Sequence, residues 1–337
     1  MKELVSLTKY QIQFKKAYEW LISNLQDMFI PDHLVLSALG ARICYSDVHP
    51  LDLLLKDERI AEPEKRLEFL NRLYKAGHFS IFAHSPAMFD KDTSRDSALT
   101  KEVSRLYKLW FYSDGQRNYY CPNVRHLTEA LRAQGRDFQN VFRDRVRAEG
   151  WRSLFSKILY FKDSKTYFEL TDNPQHINLT PEEKESGVLC FFIDRSPWQW
   201  FGFVVHGYSR IFSHQFVRHT WINFSQRSHR YTKVDAVVVP KSVKQVEPAM
   251  ALYHQGVQIS LEQYRALIER YGIPKEDARF ITPAGATTTI MASGPRFIWE
   301  DFVLKRNHPK AQWEIRQFSE IVDRVLEMTL VPRNAGA

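Results

Sequence analysis

The stretch of sequence that decides the fold is "WQWFGFVVHGYSRIFSHQFVRHTWINFSQRSHRY", residues 198–231. Residues 198–205 are almost wholly apolar, aromatic and β-branched, which predicts a buried strand. Gly207 marks the end of that strand, and apolar residues then recur at helical spacing over residues 211–217. A strongly polar segment, residues 218–231, therefore follows directly after a buried strand–helix unit.

The polar segment has the composition of an anion-binding site. It contains three arginines, two histidines, two serines and one glutamine in fourteen residues. Arginine is suited to bidentate recognition of phosphate or carboxylate, and hydroxyl and backbone donors at a turn add to it. Ser225, Gln226, Ser228 and Arg230 lie close enough in sequence to hold a phosphate. An ordinary solvated loop with salt bridges explains the same residues equally well.

The composition narrows the class of protein. With 337 residues and 44% hydrophobic content, the chain can form one large domain or two ordinary ones. A net charge of +8, spread along the chain, favours phosphate-bearing small ligands over nucleic acid, although composition alone does not decide between these two kinds of partner. The N-terminus has no apolar signal core, and no apolar run reaches about 18 residues, so we expect no membrane span.

The cysteines and histidines point away from metal or disulfide chemistry. Three widely spaced cysteines without a CxxC pair support neither a zinc site nor a disulfide framework, which fits a reducing cytoplasm. The histidine spacings are not those of a metal site, so we expect no metal. No GxSxG, Walker A, HExxH or GxGxxG pattern occurs.

Other segments have clear periodicity. Helices are predicted over residues 33–46, from Pro63 to Gly77, over 244–272 and over 311–328, with a strand at 236–240. Residues 278–297 read as a loop-rich connection. Residues 87–197 are predicted to be mainly helical, with helices around 96–110, 125–134 and 146–160 and a capping box "TPEE" at 180–183.

Four segments in order resemble the flavin-dependent thymidylate synthases (the ThyX type). The polar segment resembles that family's signature, with Arg218, His219, Ser228, Arg230 and Tyr231 in register. The segments "GHFSIFAHSP" (77–86), "ARFITP" (278–283) and "KRNHPKAQWEIRQF" (305–318) resemble its other conserved segments. Together they cover roughly residues 30–86 and 198–330.

The resemblance implies an activity. In that family FAD is reduced by NADPH, and reduced flavin with methylenetetrahydrofolate converts dUMP to dTMP without an enzyme cysteine. The protein then supplies positioning and electrostatics. A relative that methylates UMP, or transfers another one-carbon unit, would carry the same phosphate-binding residues. A paralogue that has lost flavin and only binds nucleotide or nucleic acid is the alternative of another class.

The resemblance also implies which residues form the site. Arg306 matches the arginine that polarises the uracil ring, because it stands five residues before Ala311 in the "AQWEI" register. The nucleotide-binding positions are Gln215, Arg218, Gln226, Arg227, Ser228, His229, Arg230, Arg279 and Arg306. The flavin-contacting positions are His78, Ser80, Arg218, His219, Thr220, Gln226 and Asp301.

The chain departs from the family pattern near the flavin. Thr220 stands where the signature has a third cation, and Pro295 and Phe297 stand where the family has Asn-x-Arg. Residues 87–197 form an insertion absent from the family. Within it, Asn123 and Arg125 have the spacing of the missing pair, so we consider them as replacement flavin contacts.

The family fold sets the expected architecture. It is α/β, with a central, mostly antiparallel sheet flanked by helices. Residues 1–86 and 198–337 would form this domain and residues 87–197 the mainly helical insertion. The family's homotetramers build each active site from several subunits, so we expect a homotetramer.

Overall fold

The structure is a computed structural model that describes residues 19, 21–23, 28–29, 34–89, 110–113, 118–121, 123–143, 157–169, 181–195 and 198–329. Its elements up to residue 142 are β1 (Met28–Phe29), α1 (Leu34–Tyr45), α2 (Pro50–Lys56), α3 (Glu58–Ala61), α4 (Pro63–Lys75), a 3₁₀ helix (Phe79–His84), β2 (Met88–Phe89), β3 (Trp110–Ser113), β4 (Asn118–Cys121), α5 (Val124–Ala133) and α6 (Phe138–Phe142). Those that follow are β5 (Lys157–Glu169), β6 (Pro181–Arg195), β7 (Trp198–Ser209), α7 (Arg210–Phe216), β8 (Asn223–Gln226), β9 (Ala236–Val238), α8 (Lys241–Lys244), α9 (Glu247–Glu269), α10 (Lys275–Ala278), a second 3₁₀ helix (Arg279–Ile281), β10 (Thr287–Pro295), α11 (Arg296–Arg306) and α12 (Trp313–Met328).

The centre of the molecule is a six-stranded sheet with the order β8-β10-β7-β6-β5-β9. Every neighbouring pair in it is antiparallel. The predicted α/β class with a mostly antiparallel sheet is therefore confirmed, and the predicted strand at residues 198–205 is its β7.

The sheet is buried on both faces because successive side chains on a strand point to opposite sides. On one face, Leu189 and Phe191 of β6 pack with α1, α4 and α5. On the other, Val188 and Cys190 pack with α7, α11 and α12. The predicted helices at residues 33–46 and 311–328 thus form opposite layers around the sheet.

Strand β10 corrects the prediction of a loop-rich connection at residues 278–297. All nine of its residues are buried between β7 and β8. Its threonines find partners on these neighbours: Thr289 bonds to His206 on β7, and Thr288 accepts from Gln226 on β8. Pairing with β7 and β8 thus provides hydrogen-bond partners for a polar stretch whose sequence alone resembles a loop.

The mainly helical character predicted for residues 87–197 is wrong in the described part. Strands β5 and β6 pair along twelve register positions in the middle of the sheet, and residues 157–160 of the predicted third helix belong to β5. Helix α5 confirms the prediction at 125–134. Of the predicted helix at 96–110, only Trp110 lies among the described residues, and it begins β3.

The "TPEE" segment begins a strand instead of a helix. Glu183 accepts hydrogen bonds from Ser164 and Thr166 on the facing strand β5, at 2.6 and 2.7 Å. Lys184 forms an ion pair with Glu169 across the same ladder. These cross-strand bonds outweigh the local capping preference. They form only when β5 and β6 pair, so the local sequence does not reveal them.

One buried carboxylate fixes the junction between β7 and α7. Glu314, at the start of α12, is 1% exposed and accepts from the backbone N–H of Ser209 at 3.0 Å and from its hydroxyl. Ser209 caps α7 by accepting from the N–H of Phe212. The "AQWEIR" segment therefore holds the helix that leads into the polar segment. In the described part of the chain, no helix combines the length and apolarity that a membrane crossing requires.

Candidate functional site

A cleft of about 490 Å³ lies between the turn that follows α7 and the outer side of α11. Its walls combine cations with apolar surface. The lining residues are Arg218, His219, Thr220, Trp221, Ile298, Asp301, Lys305 and Arg306. Five of these eight residues were predicted for the site. The other three are Trp221, Ile298 and Lys305.

Two hydrogen bonds fix the position of Arg306 in this cleft. Its Nε donates to Nε2 of His219 at 2.8 Å, and its Nη2 donates to the carbonyl oxygen of Gln215 at 3.1 Å. Because a guanidinium can only donate, His219 must be neutral with Nε2 unprotonated. Burial, assisted by the charges of Arg306 and Lys305, lowers the pKa of His219 to about 4, in agreement with that assignment.

Two cations in the cleft have no carboxylate against them. Arg218 is exposed and Arg306 half-buried, and neither forms an ion pair with any residue in the described ranges. Lys305, in contrast, pairs with Asp301 at 2.6 Å, one turn away on α11. Asp301 was predicted to contact flavin. Its four-residue spacing from Lys305 is the sequence signal that could have placed Lys305 in the cleft.

The second half of the polar segment forms a separate group at the end of β8. Gln226 donates from Nε2 to Thr288 Oγ1 at 3.1 Å. Ser228 donates from its backbone N–H to the carbonyl of Cys44 at 3.0 Å. These bonds fix the loop of residues 226–231 against β10 and α1.

Arg227 and His229, both predicted to bind nucleotide, hold the loop in the structure. Arg227 is 5% exposed and donates to Thr232 Oγ1 and to the carbonyl of Lys233. Nε2 of His229 bonds to the carbonyl of Thr287 at 3.1 Å. Burial, together with neighbouring cations, lowers the pKa of His229 to about 4, so at neutral pH it is an uncharged donor. Their nucleotide role stays a prediction.

Arg230 and Arg279 converge on Glu276. Arg230 pairs with its carboxylate at 2.7 Å, and Arg279 donates from Nε to its backbone carbonyl at 3.2 Å. Arg230 is exposed, and its guanidinium lies 5.6 Å from the ring of Tyr231. The structure thus brings together two of the predicted nucleotide-binding residues, although they are far apart in sequence.

The segment "GHFSIFAHSP" contributes two buried polar residues, His84 and Ser85, and two exposed ones, His78 and Ser80. His78 and Ser80 are exposed at the start of the first 3₁₀ helix and do not line the cleft. His84 is fully buried and bonds to Ser225 and Ser293, both at 2.9 Å. Burial lowers the pKa of His84 to about 3, so it is a neutral link between this segment and the strand that carries Gln226.

Asn123 and Arg125, considered above as replacement flavin contacts, both bond to residues of α5 instead. Asn123 is the N-cap of α5, where its side chain accepts from the N–H of His126, and it is 7% exposed. Arg125 is exposed and pairs with Glu129 at 2.8 Å. Neither residue lines the cleft, and the spacing that suggested them is explained by a helix start.

Nucleophilic and metal chemistry have no support in the described residues. Cys44 and Cys190 are free, and burial raises the pKa of both thiols, so neither is a thiolate at neutral pH. No group of three or more potential metal ligands occurs in the part of the chain that the structure describes. What the cleft offers is the positive charge of Arg218 and Arg306, which is suited to an anionic ligand.

Comparison with known proteins identifies the same region. Residues 199–330 match the family model "Thymidylate synthase complementing protein". The flavin-dependent thymidylate synthase of Geobacter sulfurreducens is 39% identical over 120 residues, 34% of this chain and 51% of that protein. That of Sulfurisphaera tokodaii is 37% identical over 117 residues, 34% of this chain and 45% of that protein.

A solved structure is also similar in part. It is the flavin-dependent thymidylate synthase ThyX from Helicobacter pylori complexed with FAD and dUMP, 19% identical, covering 36% of this chain and 65% of that one with a TM-score of 0.30. The chain spans about half the length of the relatives it matches. Residues 199–330 are therefore similar to the flavin-dependent thymidylate synthases, in the family model as in the sequence relatives.

Proposed function

We propose that the protein is a flavin-dependent methyltransferase that converts dUMP to dTMP, with FAD as cofactor and NADPH and methylenetetrahydrofolate as co-substrates. The observation that carries the proposal is the fixed position of Arg306. Two hydrogen bonds, to His219 and to the Gln215 carbonyl, hold its guanidinium at the edge of a cleft lined by the family signature.

The cleft has the donor set that a flavin needs. A flavin dinucleotide combines a flat ring system with a pyrophosphate, and the cleft offers Trp221 beside the cations Arg218 and Lys305. Arg218, His219 and Thr220 would hold the cofactor on the α7 side, and Asp301 on the α11 side. When bound, the flavin supplies the hydride chemistry that makes an enzyme nucleophile unnecessary.

The role of Arg306 is electrostatic. A guanidinium held against the uracil ring stabilises negative charge as the ring carbon becomes nucleophilic. Because His219 stays neutral, it accepts a hydrogen bond from Arg306 and adds no competing positive charge. Arg306 is therefore a cation whose guanidinium two hydrogen bonds hold in place, beside the exposed Arg218.

The phosphate would be bound by the second group of residues. Arg230 and Arg279 present two guanidiniums around Glu276, and the hydroxyl of Ser228, which accepts from the N–H of Arg230, lies beside them. Because the cleft and this group are distinct places on one chain, the proposal includes a homotetramer in which different subunits supply the two halves of each site. It also includes a cytoplasmic location, in keeping with the free thiols of Cys44 and Cys190.

The alternatives make different predictions in one experiment. The enzyme is purified, its flavin content is read from the visible absorption spectrum, and the prereduced protein is mixed with methylenetetrahydrofolate and either dUMP or UMP. Conversion of dUMP supports the proposal, and conversion of UMP alone would identify the ribonucleotide relative. A flavin-free protein that binds nucleotide without converting it would contradict the proposal and support the non-catalytic paralogue. Thr220 and Phe297, which depart from the family pattern, are the reason to consider that alternative.

A further inference from the structure

Arg210 is a half-buried arginine without a partner in the described chain. It is the first residue of α7, and its side chain makes no hydrogen bond or ion pair with any described residue. Removing a guanidinium from water without a compensating partner is costly. Its position at the amino end of a helix adds to that cost, since a cation is unfavourable there.

The backbone places Arg210 beside the segment that carries Arg279. The N–H of Arg210 donates to the carbonyl of Ala286 at 2.9 Å, and that of Ile211 to the carbonyl of Ala284 at 3.2 Å. The same segment begins with Arg279, whose carbonyl accepts from the N–H and hydroxyl of Thr282. The start of α7 is therefore bonded to the loop that continues from Arg279.

The two guanidiniums repel one another. Burial and the charge of Arg279 lower the pKa of Arg210, and no carboxylate counters this effect. Among the described residues, Arg279 donates only from Nε, to the backbone carbonyl of Glu276, whose carboxylate is paired with Arg230. Arg210 and Arg279 are thus left without a carboxylate partner among the described residues, which leaves an excess of positive charge and several unused guanidinium donors there.

We propose that Arg210 is a further phosphate-binding residue, which acts with Arg279 on the phosphate of the nucleotide. The proposal rests on the proposed function for the identity of the nucleotide, and it concerns a residue to which the family resemblance assigns no role. A doubly charged phosphate would relieve the repulsion between the two guanidiniums and supply acceptors for their unused N–H groups. A nucleoside without phosphate would gain nothing from Arg210.

The test compares dUMP with deoxyuridine by titration calorimetry on wild type, Arg210→Gln and Arg72→Gln. Arg72 is an exposed arginine in the last turn of α4 and serves as the matched control for loss of one charge. A lost charged hydrogen bond predicts that Arg210→Gln raises the Kd for dUMP about 10- to 100-fold, with the Kd for deoxyuridine unchanged. Arg72→Gln should match wild type for both ligands.

Two outcomes would overturn the inference. An unchanged Kd for dUMP would remove Arg210 from the site, and an equal loss of affinity for both ligands would show that Arg210 acts on the fold. Arg210→Lys covers the case in which Arg210→Gln does not fold: it keeps the charge but not the planar fork, and should still weaken dUMP selectively.

A third measurement separates the inference from the proposed function. Inorganic phosphate should raise the thermal midpoint of wild type more than that of Arg210→Gln. If phosphate protects in this way but dUMP does not bind, the proposed function fails and the phosphate site stands. If phosphate protects wild type and Arg210→Gln equally, the inference fails whatever dUMP does.

Discussion

Arg306 donates a hydrogen bond of 2.8 Å to the imidazole of His219. An arginine and a protonated histidine are both donors, so this bond requires that His219 is neutral. Phe302 packs its ring 4.9 Å from the imidazole of His219 and so fixes the imidazole plane. The orientation of the cation in the cleft therefore depends on a histidine and a phenylalanine that need not touch the substrate.

Loss of Arg306 should lower turnover more than nucleotide affinity. If the guanidinium stabilises charge that develops in the transition state, Arg306→Ala should reduce the single-turnover rate about 10²- to 10³-fold. Arg306→Lys should restore only part of it, because an ammonium cannot reproduce the planar fork. The measurement is conversion of dUMP by prereduced enzyme. Equal rates for wild type and Arg306→Ala would remove Arg306 from the chemistry.

His219 should act through Arg306 as well as through any contact with flavin. We expect His219→Ala to lower the single-turnover rate about tenfold or more, because misplacing a preorganised donor is costly. In the double variant with Arg306→Ala, the two effects should not add, since both remove the same oriented guanidinium. The flavin content of each variant is measured beside the rate. Full additivity at equal flavin content would show that the two residues act independently.

The Arg230–Glu276 pair should compete with the nucleotide. Arg230 must leave the carboxylate of Glu276 to bind a phosphate, and both side chains are largely exposed. Arg230→Ala should raise the Kd for dUMP tenfold or more, while Glu276→Gln should lower it a few fold by releasing Arg230. Flavin content should not change in either variant. A weaker Kd in Glu276→Gln would mean that the carboxylate orders Arg230 for binding instead of competing with the phosphate.

Asn123 and Arg125 should contribute to stability and not to flavin binding. Because Asn123 caps α5, Asn123→Ala should lower the free energy of unfolding by about 1 kcal/mol. Arg125→Ala removes an exposed i,i+4 ion pair and should have little effect. Urea unfolding and the visible flavin spectrum are recorded for both variants. A folded Arg125→Ala protein depleted of flavin would revive the idea that the insertion replaces the missing Asn-x-Arg.

Much of the fold was predictable wherever a single element carries its own pattern. The continuous apolar run of β7 and the helical spacing of α7 and α12 are local signals, and the structure bears them out. Strand β10 was not predictable in this way, because its threonines, Gly294 and Pro295 are typical of loops. It is a strand because it pairs with β7 on one side and β8 on the other, and its own residues do not reveal that pairing.

The same distinction applies to the site. The fixed "AQWEI" register predicted Arg306, and the structure places it in the cleft. The signature did not reveal that Arg227 and His229 bond to the loop and to β10, since their partners Lys233 and Thr287 become neighbours only after folding. Nor could it reveal β5 and β6, whose lysines and glutamates read as helical until they pair across the ladder.

Acid should destabilise the protein through its buried and half-buried histidines. Burial is the main cause that lowers the pKa of four of them: His84 to about 3, and His206, His219 and His229 each to about 4. In the unfolded chain a histidine titrates near pH 6.5, so between about pH 6.5 and 4 the unfolded state binds more protons than the folded state. The free energy of unfolding should therefore be highest above pH 6.5 and fall as the pH drops through this window.

The contribution of one histidine can be isolated with His84, which is fully buried between two serines. Each such histidine contributes a slope of up to about 1.4 kcal/mol per pH unit, so His84→Gln should flatten the pH dependence by about that amount, even if it lowers stability overall. The measurement is urea unfolding at several pH values between 7.5 and 4.5, with the exposed His308→Gln as the control for loss of one histidine from the surface. If His84→Gln keeps the full wild-type slope, His84 is not held neutral in the folded state, and its role as an uncharged link between the 3₁₀ segment and β8 would have to be abandoned.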